Sequence, residues 1–339
     1  MPPAKRARPA LGRRAPAPVV VHSAPLVLPV SAEPIRDGAV AVRGERVLRV
    51  GSRTDVLASG PVAHEVRWTG MIVAGLVDAR ACVPSPGVTA RAYVVSDLAE
   101  PCGAPGISYV EVTSGNEEEW EERERDAVIT AIREVDRPYA VGIAANTRHP
   151  LVLEDVAVLA RTFGLRLLVD LDRHSPTALD EAGVLGPLCH VACARPLDPG
   201  ERKLLRLRGS AVAVCPSGPA SAADVLTLLD EGNHVALGTG SPPGTESLLA
   251  MAGAIRRGAR ERGLRTKGLD GRLVRAATMG GARALGMNRG AGRIGTLAPG
   301  SRADFAVFDA RGRYPYTALL AQPPCLATVV GGAVTETGT

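Results

Sequence analysis

Between residues 71 and 262 the chain alternates between short apolar runs and longer amphipathic stretches, and this alternation limits its fold more than any other feature. The apolar runs are Met71–Val77, Ile107–Val112, Tyr139–Ala144, Leu165–Leu171, Leu188–Cys193, Ala211–Val214 and His234–Gly238. Between them the apolar residues return with helical spacing over Glu117–Val135, Leu151–Phe163, Pro199–Leu207, Ala220–Asp230 and Thr245–Arg262. Strands separated by helices imply a parallel sheet, and this many units predict a closed TIM-like (β/α) barrel in an α/β protein. Seven strands are clear. Val88–Glu100 supplies a candidate eighth, although its Ala/Arg/Leu spacing suits a helix equally, so a compressed barrel stays open.

The two ends read differently. Residues 19–73 carry short β-like runs broken by turns: Pro25–Val30, Ala39–Arg43, Arg46–Val50 and Glu65–Trp68. Asp37 to Gly51 reads as a hairpin turning at Gly44-Glu45. Phe305–Phe308, Thr328–Val330 and the turn Gly331-Gly332 repeat that style near the C-terminus. The expected organisation is a basic, disordered tail over 1–18, a composite β-sandwich from 19–73 and 292–339, and the barrel over 74–291.

Composition narrows the function classes. At 45% hydrophobic over 339 residues the chain buries a large core. The net charge of +5 is concentrated in a Pro/Ala-rich start holding Lys5, Arg6, Arg8, Arg13 and Arg14, which reads as solvated tail. Neither a nucleic-acid nor a membrane partner is expected. No apolar run approaches the roughly 20 residues of a membrane span. Val19 to Val30 is interrupted by His22, Pro25 and Pro29 and makes a poor signal peptide. Six scattered cysteines without CxxC spacing read as reduced thiols in the cytoplasm. The acidic run Glu117–Asp126 reads as a solvated helix face.

Four segments carry a resemblance to a known family: Gly75-Leu-Val-Asp-Ala-Arg-Ala-Cys82, Val235-Ala-Leu-Gly-Thr-Gly-Ser241, Ala276-Ala-Thr-Met-Gly-Gly-Ala-Arg-Ala-Leu-Gly286 and Ile294 to Phe308. Together they resemble the amidohydrolase superfamily, nearest its deaminase and imidazolonepropionase-like branches. The resemblance implies a metal-dependent barrel with a flanking β-sandwich, acting on non-peptide carbon–nitrogen bonds of cyclic amides or aminated rings. It also implies metal ligands after barrel strands one, five, six and eight. At those positions the sequence departs from the pattern. The strand-one histidine pair reads Arg80 and Cys82, the strand-five histidine Asp170, the strand-six histidine Cys193, and the strand-eight aspartate Gly240. The glutamate used by related deaminases as proton shuttle reads Arg173. Cys215-Pro-Ser-Gly-Pro219 stands where the family shows "Cys-Pro-Arg-Ser-Asn".

Arginine is a permanent cation with no lone pair for a metal. The remaining histidines offer little replacement. Alternation along the strand turns His190 away from Cys193, and His174 lies past its strand but is one residue where three or four ligands are needed. His22, His64, His149 and His234 fall outside the marked positions.

Three readings of the barrel mouth follow. In the first the chain is a catalytically impaired pseudoenzyme with no metal expected, and an Arg80–Asp170 pair replaces the metal as a cross-link. In the second Cys82, Cys193 and Asp170 form a rebuilt zinc or thiol site. In the third Arg80 and Arg173 hold an anionic small molecule in a binding protein. A homo-oligomer is compatible with each.

Overall fold

The computed structural model describes residues 17–82, 84–95, 105–134, 140–215, 221–240, 247–264 and 266–337. Outside them fall the basic tail through residue 16, Cys102, the end of the candidate eighth strand after Val95, residues 216–220 after Cys215, and residues 241–246. No helix among the described residues is long and apolar enough to cross a membrane.

The strands fall into two eight-stranded sheets. The N-terminal ones are β1 (Val19–Leu28), β2 (Ile35–Arg43), β3 (Arg46–Ser52), β4 (His64–Arg67) and β5 (Met71–Ala74). β6 (Leu76–Ala81), β7 (Val88–Val95), β8 (Gly106–Val112) and β9 (Ala140–Ala145) follow. Next come β10 (Arg166–Asp170), β11 (Cys189–Cys193), β12 (Ala211–Val214) and β13 (His234–Leu237). The chain ends with β14 (Phe305–Phe308), β15 (Cys325–Val330) and β16 (Ala333–Thr337).

The first sheet joins the two ends of the chain in the order β16-β15-β14-β5-β1-β2-β3, with β4 beside β1. β5 is its junction, running parallel to β1 and antiparallel to β14, with Phe305 opposite Ala74 and Phe308 opposite Met71. The β2–β3 hairpin turns at Gly44, whose φ of +55° suits glycine.

The second sheet holds β6 to β13 in sequence order, all parallel, with helices on its outer face. Val88–Val95 is therefore a strand, and the barrel has eight. The helices start and stop where local chemistry dictates. Pro150, Pro176 and Pro199 occupy first-turn positions, Asp198 and Glu201 form a capping box, and Gly164 and Gly209 end their helices in left-handed conformation.

The apolar run 71–77, expected as one strand, belongs to both sheets and breaks at Gly75. A side chain there would lie 2.0 Å from Thr89 Oγ1, and the Gly75 amide donates to the Asp304 carbonyl at 3.0 Å. β6 then continues to Ala81, which places Asp78 and Arg80 on a strand.

Between β6 and β13 there is no continuous ladder. The Gly240 amide donates to the Arg80 carbonyl at 2.8 Å, and both the amide and the hydroxyl of Thr239 donate to the Asp78 carboxylate, at 3.1 and 2.7 Å. A helix over residues 269–284 lies across the same gap. Side chains at Gly280 and Gly281 would fall 2.2 Å from the Val235 and Val77 carbonyl oxygens, so only glycine lets the helix approach both strands.

Candidate functional site

Lateral pairing in a parallel sheet brings residues of one face into register. Leu168, His190 and Ala211 are paired across β10, β11 and β12, and Asp170, Ala192 and Ala213 form the next layer. This is the lumen face: Ala90, Ala92, Tyr109, Ala144, Leu168, Ala192, Ala213 and Ala236 pack there as one cluster. Alanines dominate it, so a few large groups fill the interior. Tyr109 and His190 meet edge to face, the Tyr109 hydroxyl lies 3.4 Å from His190 Nδ1, and His190 Nε2 lies 2.9 Å from the Ala79 carbonyl. The Ala79 carbonyl accepts, so Nε2 carries the proton and Nδ1 accepts from Tyr109. Burial, then the nearby Arg166 cation, depress His190 to about 3.

The C-terminal strand ends form the mouth. There Arg80 lies within an irregularity in the β6–β7 register between Asp78 and Ala81, and Cys82 follows it. Arg80 Cβ lies 2.8 Å from where a Gly238 side chain would begin, and Cys215 Sγ lies 3.2 Å from the same point. Cys82 donates its thiol to the Gly240 carbonyl. Gly240 itself has φ +74°, and a Cβ on it would meet Cys215 Cβ at 3.0 Å. An aspartate would be strained and crowded there.

Asp170 stands on the lumen face at the end of β10, half-buried, with Oδ1 accepting from the Asp172 amide at 2.9 Å. Arg173 is exposed on the rim, its amide bonded to the Asp170 carbonyl at 3.1 Å. The expected Arg80–Asp170 pair does not form. Among the described residues the half-buried Arg80 guanidinium makes no ion pair, although its field reaches Asp78, His190 and Cys215. The strand ends are held instead by Asp78 and Thr239. Burial raises the Asp78 carboxyl above its ordinary value, against the lowering effect of the Thr239 and backbone hydrogen bonds.

Cys193 does not face the mouth. It pairs with Val214 on the outer face, packs in the helix-layer core, and donates its thiol to the Arg195 carbonyl at 3.0 Å. Burial pushes that thiol up to about 11. Alternation thus separates His190 from Cys193 as expected, but His190 is the residue that points inward. His174 is buried, with a pKa lowered chiefly by burial and then by Arg148 and Arg173; its Nε2 has no partner among the described residues.

Three mouth residues have roles that the sequence reading did not assign. Cys215 continues the inward face of Ala211 and Ala213, and burial raises its thiol well above the ordinary range, with the Asp78 and Asp170 charges raising it further. Glu111 pairs in register with Ala144 and accepts from Asn146 Nδ2 at 2.6 Å. A lone glutamate one residue from the end of the run Ile107–Val112 was the available signal. Asp78 was visible as part of the Gly75–Cys82 motif but not as the clamp between strands.

Among the described residues no three His, Cys, Asp or Glu side chains are grouped to hold an ion. Of the positions that the resemblance marks, Arg80 and Arg173 carry cations, Cys193 faces the helices, and Gly240 has a backbone that disfavours a side chain.

The fold is an eight-stranded, TIM-like (β/α) barrel with a sheet from both chain ends beside it. Residues 160–335, just over half of the chain, match the Amidohydrolase family, and the chain belongs to it. It is 38% identical over 101 residues to an imidazolonepropionase from Saccharopolyspora erythraea, covering 30% of this chain and 24% of that protein. It is 31% identical over 240 residues to a 5-methylthioadenosine/S-adenosylhomocysteine deaminase from Syntrophobacter fumaroxidans, covering 64% of this chain and 52% of that one. The chain therefore spans about half the length, or less, of these relatives. In fold it is similar to an adenosine deaminase from Xanthomonas campestris with bound zinc, with a TM-score of 0.78 at 17% identity over 95% of this chain and 94% of that chain. Guanine deaminase from E. coli gives a TM-score of 0.75 at 14% identity, over 94% and 99% of the two chains.

Proposed function

We propose that this protein keeps the frame of an amidohydrolase acting on carbon–nitrogen bonds of cyclic amides or aminated rings, has lost metal-assisted hydrolysis, and retains its mouth as a binding site for a small anionic ring compound. One observation carries this reading: Arg80, at a family ligand position, places an unpaired cation where a hydrolytic metal would need a lone-pair donor. A metal lowers the pKa of its water from about 15.7 toward 7, and no grouping of described side chains replaces that effect. A guanidinium beside Cys215 suits a carboxylate or an enolised ring oxygen. No disulfide joins the described cysteines, which supports a reducing, cytoplasmic setting.

The test is metal content by mass spectrometry after growth in zinc-supplemented medium, together with a hydrolysis screen on cyclic amides and aminated purines and pyrimidines. A well-folded, metal-free and inactive protein that retains anionic ring compounds, about tenfold less tightly after Arg80→Met, is the expected result. Stoichiometric zinc lost on Cys82→Ser or Cys215→Ser, with turnover, would overturn it.

A further inference from the structure

We infer a second small-molecule site, remote from the mouth, for a phosphorylated planar ring of the nucleoside monophosphate class. The helix Leu248–Glu261 starts at the mouth end after β13 and runs back along the barrel, so its last turn lies roughly 20 Å from that end. Where it ends, a cavity of about 750 Å³ opens against residues 266–271 and 314–317. That volume lies within the usual range for small-molecule sites.

The floor of this cavity is fixed. Asp270 is in ion-pair contact with Arg256 at 2.9 Å through one oxygen and accepts from the Thr317 hydroxyl at 2.6 Å through the other. Both carboxylate oxygens are therefore engaged within the floor. Leu269 and Tyr316 complete the base.

The rim is unusual in two respects. Arg260 and Lys267 line it, both exposed, and neither enters an ion pair among the described residues. Beside them Tyr314 is 66% exposed and Leu264 38% exposed, and the Arg313 guanidinium lies 5.8 Å from the Tyr314 ring centre. Two uncompensated cations favour a dianion over a carboxylate monoanion. An exposed tyrosine next to them offers a face for a planar ring. Phosphate and ring on one small molecule would use both features, which an inorganic ion or an uncharged ring does not.

Isothermal titration calorimetry of the full chain tests this with adenosine monophosphate, adenosine, inorganic phosphate and a single-stranded oligonucleotide. Adenosine monophosphate should bind, and adenosine and phosphate should each bind at least about tenfold more weakly. Raising the salt concentration should weaken binding. Arg260→Ala/Lys267→Ala should lower affinity about tenfold or more and Tyr314→Ala several-fold, each measured in the Arg80→Met background so that the mouth does not contribute. All three rim side chains are exposed, and unchanged thermal melts would show that the variants fold. The site is overturned by absence of binding, by equal affinity for adenosine, by an unaffected double variant, or by loss on Arg80→Met, which would move binding to the mouth. An oligonucleotide bound far more tightly than the mononucleotide would also overturn it.

Discussion

His190 shows how one buried side chain sets the response of the fold to acid. Held neutral between Tyr109 and Ala79, its pKa falls to about 3, and that of His22, buried against Trp68 and Phe305, falls to about 4. An unfolded chain protonates both near 6.5, so their contribution is complete above that pH and is lost as pH falls toward 3–4. For a shift the size of His22's the full loss is on the order of 3 kcal/mol. Asp304 acts in the opposite sense. Burial raises it to about 6, so its contribution is present below its ordinary value near 3.8 and is lost as pH rises through 6. Urea unfolding across pH 4 to 8 should therefore show net destabilisation on the acid side. His190→Gln should flatten that slope, and the difference between the parent and Asp304→Asn should change only below about pH 6. Gly240→Asp should not recover a metal site; it should lower the melting temperature, because φ +74° and the Cys215 contact both oppose the side chain. At this scale the sequence marked positions that depart from the resembled pattern, but not which way they point. Period-2 alternation relates His190 to Cys193 without fixing which of them faces the lumen; that depends on lateral register with Leu168 and Ala211.

Elements were the most legible level. Ala211–Val214 and Phe305–Phe308 begin and end where their apolar runs do, because both are fully buried strands bounded by polar or glycine-rich turns. Residues 71–77 were less legible, since an unbroken apolar run does not reveal that its two halves serve different sheets. Val88–Val95 was ambiguous because its residues pack on both faces of the barrel wall. The seam between β6 and β13 makes two predictions here. Thr239→Val removes the hydroxyl donor to a buried carboxylate and should cost roughly 1–3 kcal/mol in a urea melt. Gly281→Ala forces a methyl against the Val77 carbonyl and should cost about as much or more. Gly271→Ala, on the same continuous helix, meets the Tyr316 ring at an ordinary 3.7 Å and should instead stabilise by about 0.5–1 kcal/mol. Opposite signs for one substitution would locate the close approach at the seam.

For the whole molecule, the decisive contact is β5 with β14, which ties residues 71–74 to 305–308. A chain ending before Phe305 should show no cooperative calorimetric transition, because it lacks three strands of the first sheet and leaves β5 without its antiparallel partner. Composition and the βα alternation carried the architecture this far. The partnership of the two ends was inferred from their shared β-rich character, and its register was not legible. This pairing also has a temporal consequence. More than two hundred residues separate Ala74 from Phe305, so at roughly 5–20 residues per second the ribosome exposes the outer edge of β5 for on the order of ten to fifty seconds before its partner is made. During synthesis the barrel strands emerge behind an open β-edge, and the nascent chain depends on whatever shields that edge until the last tenth of this sequence arrives.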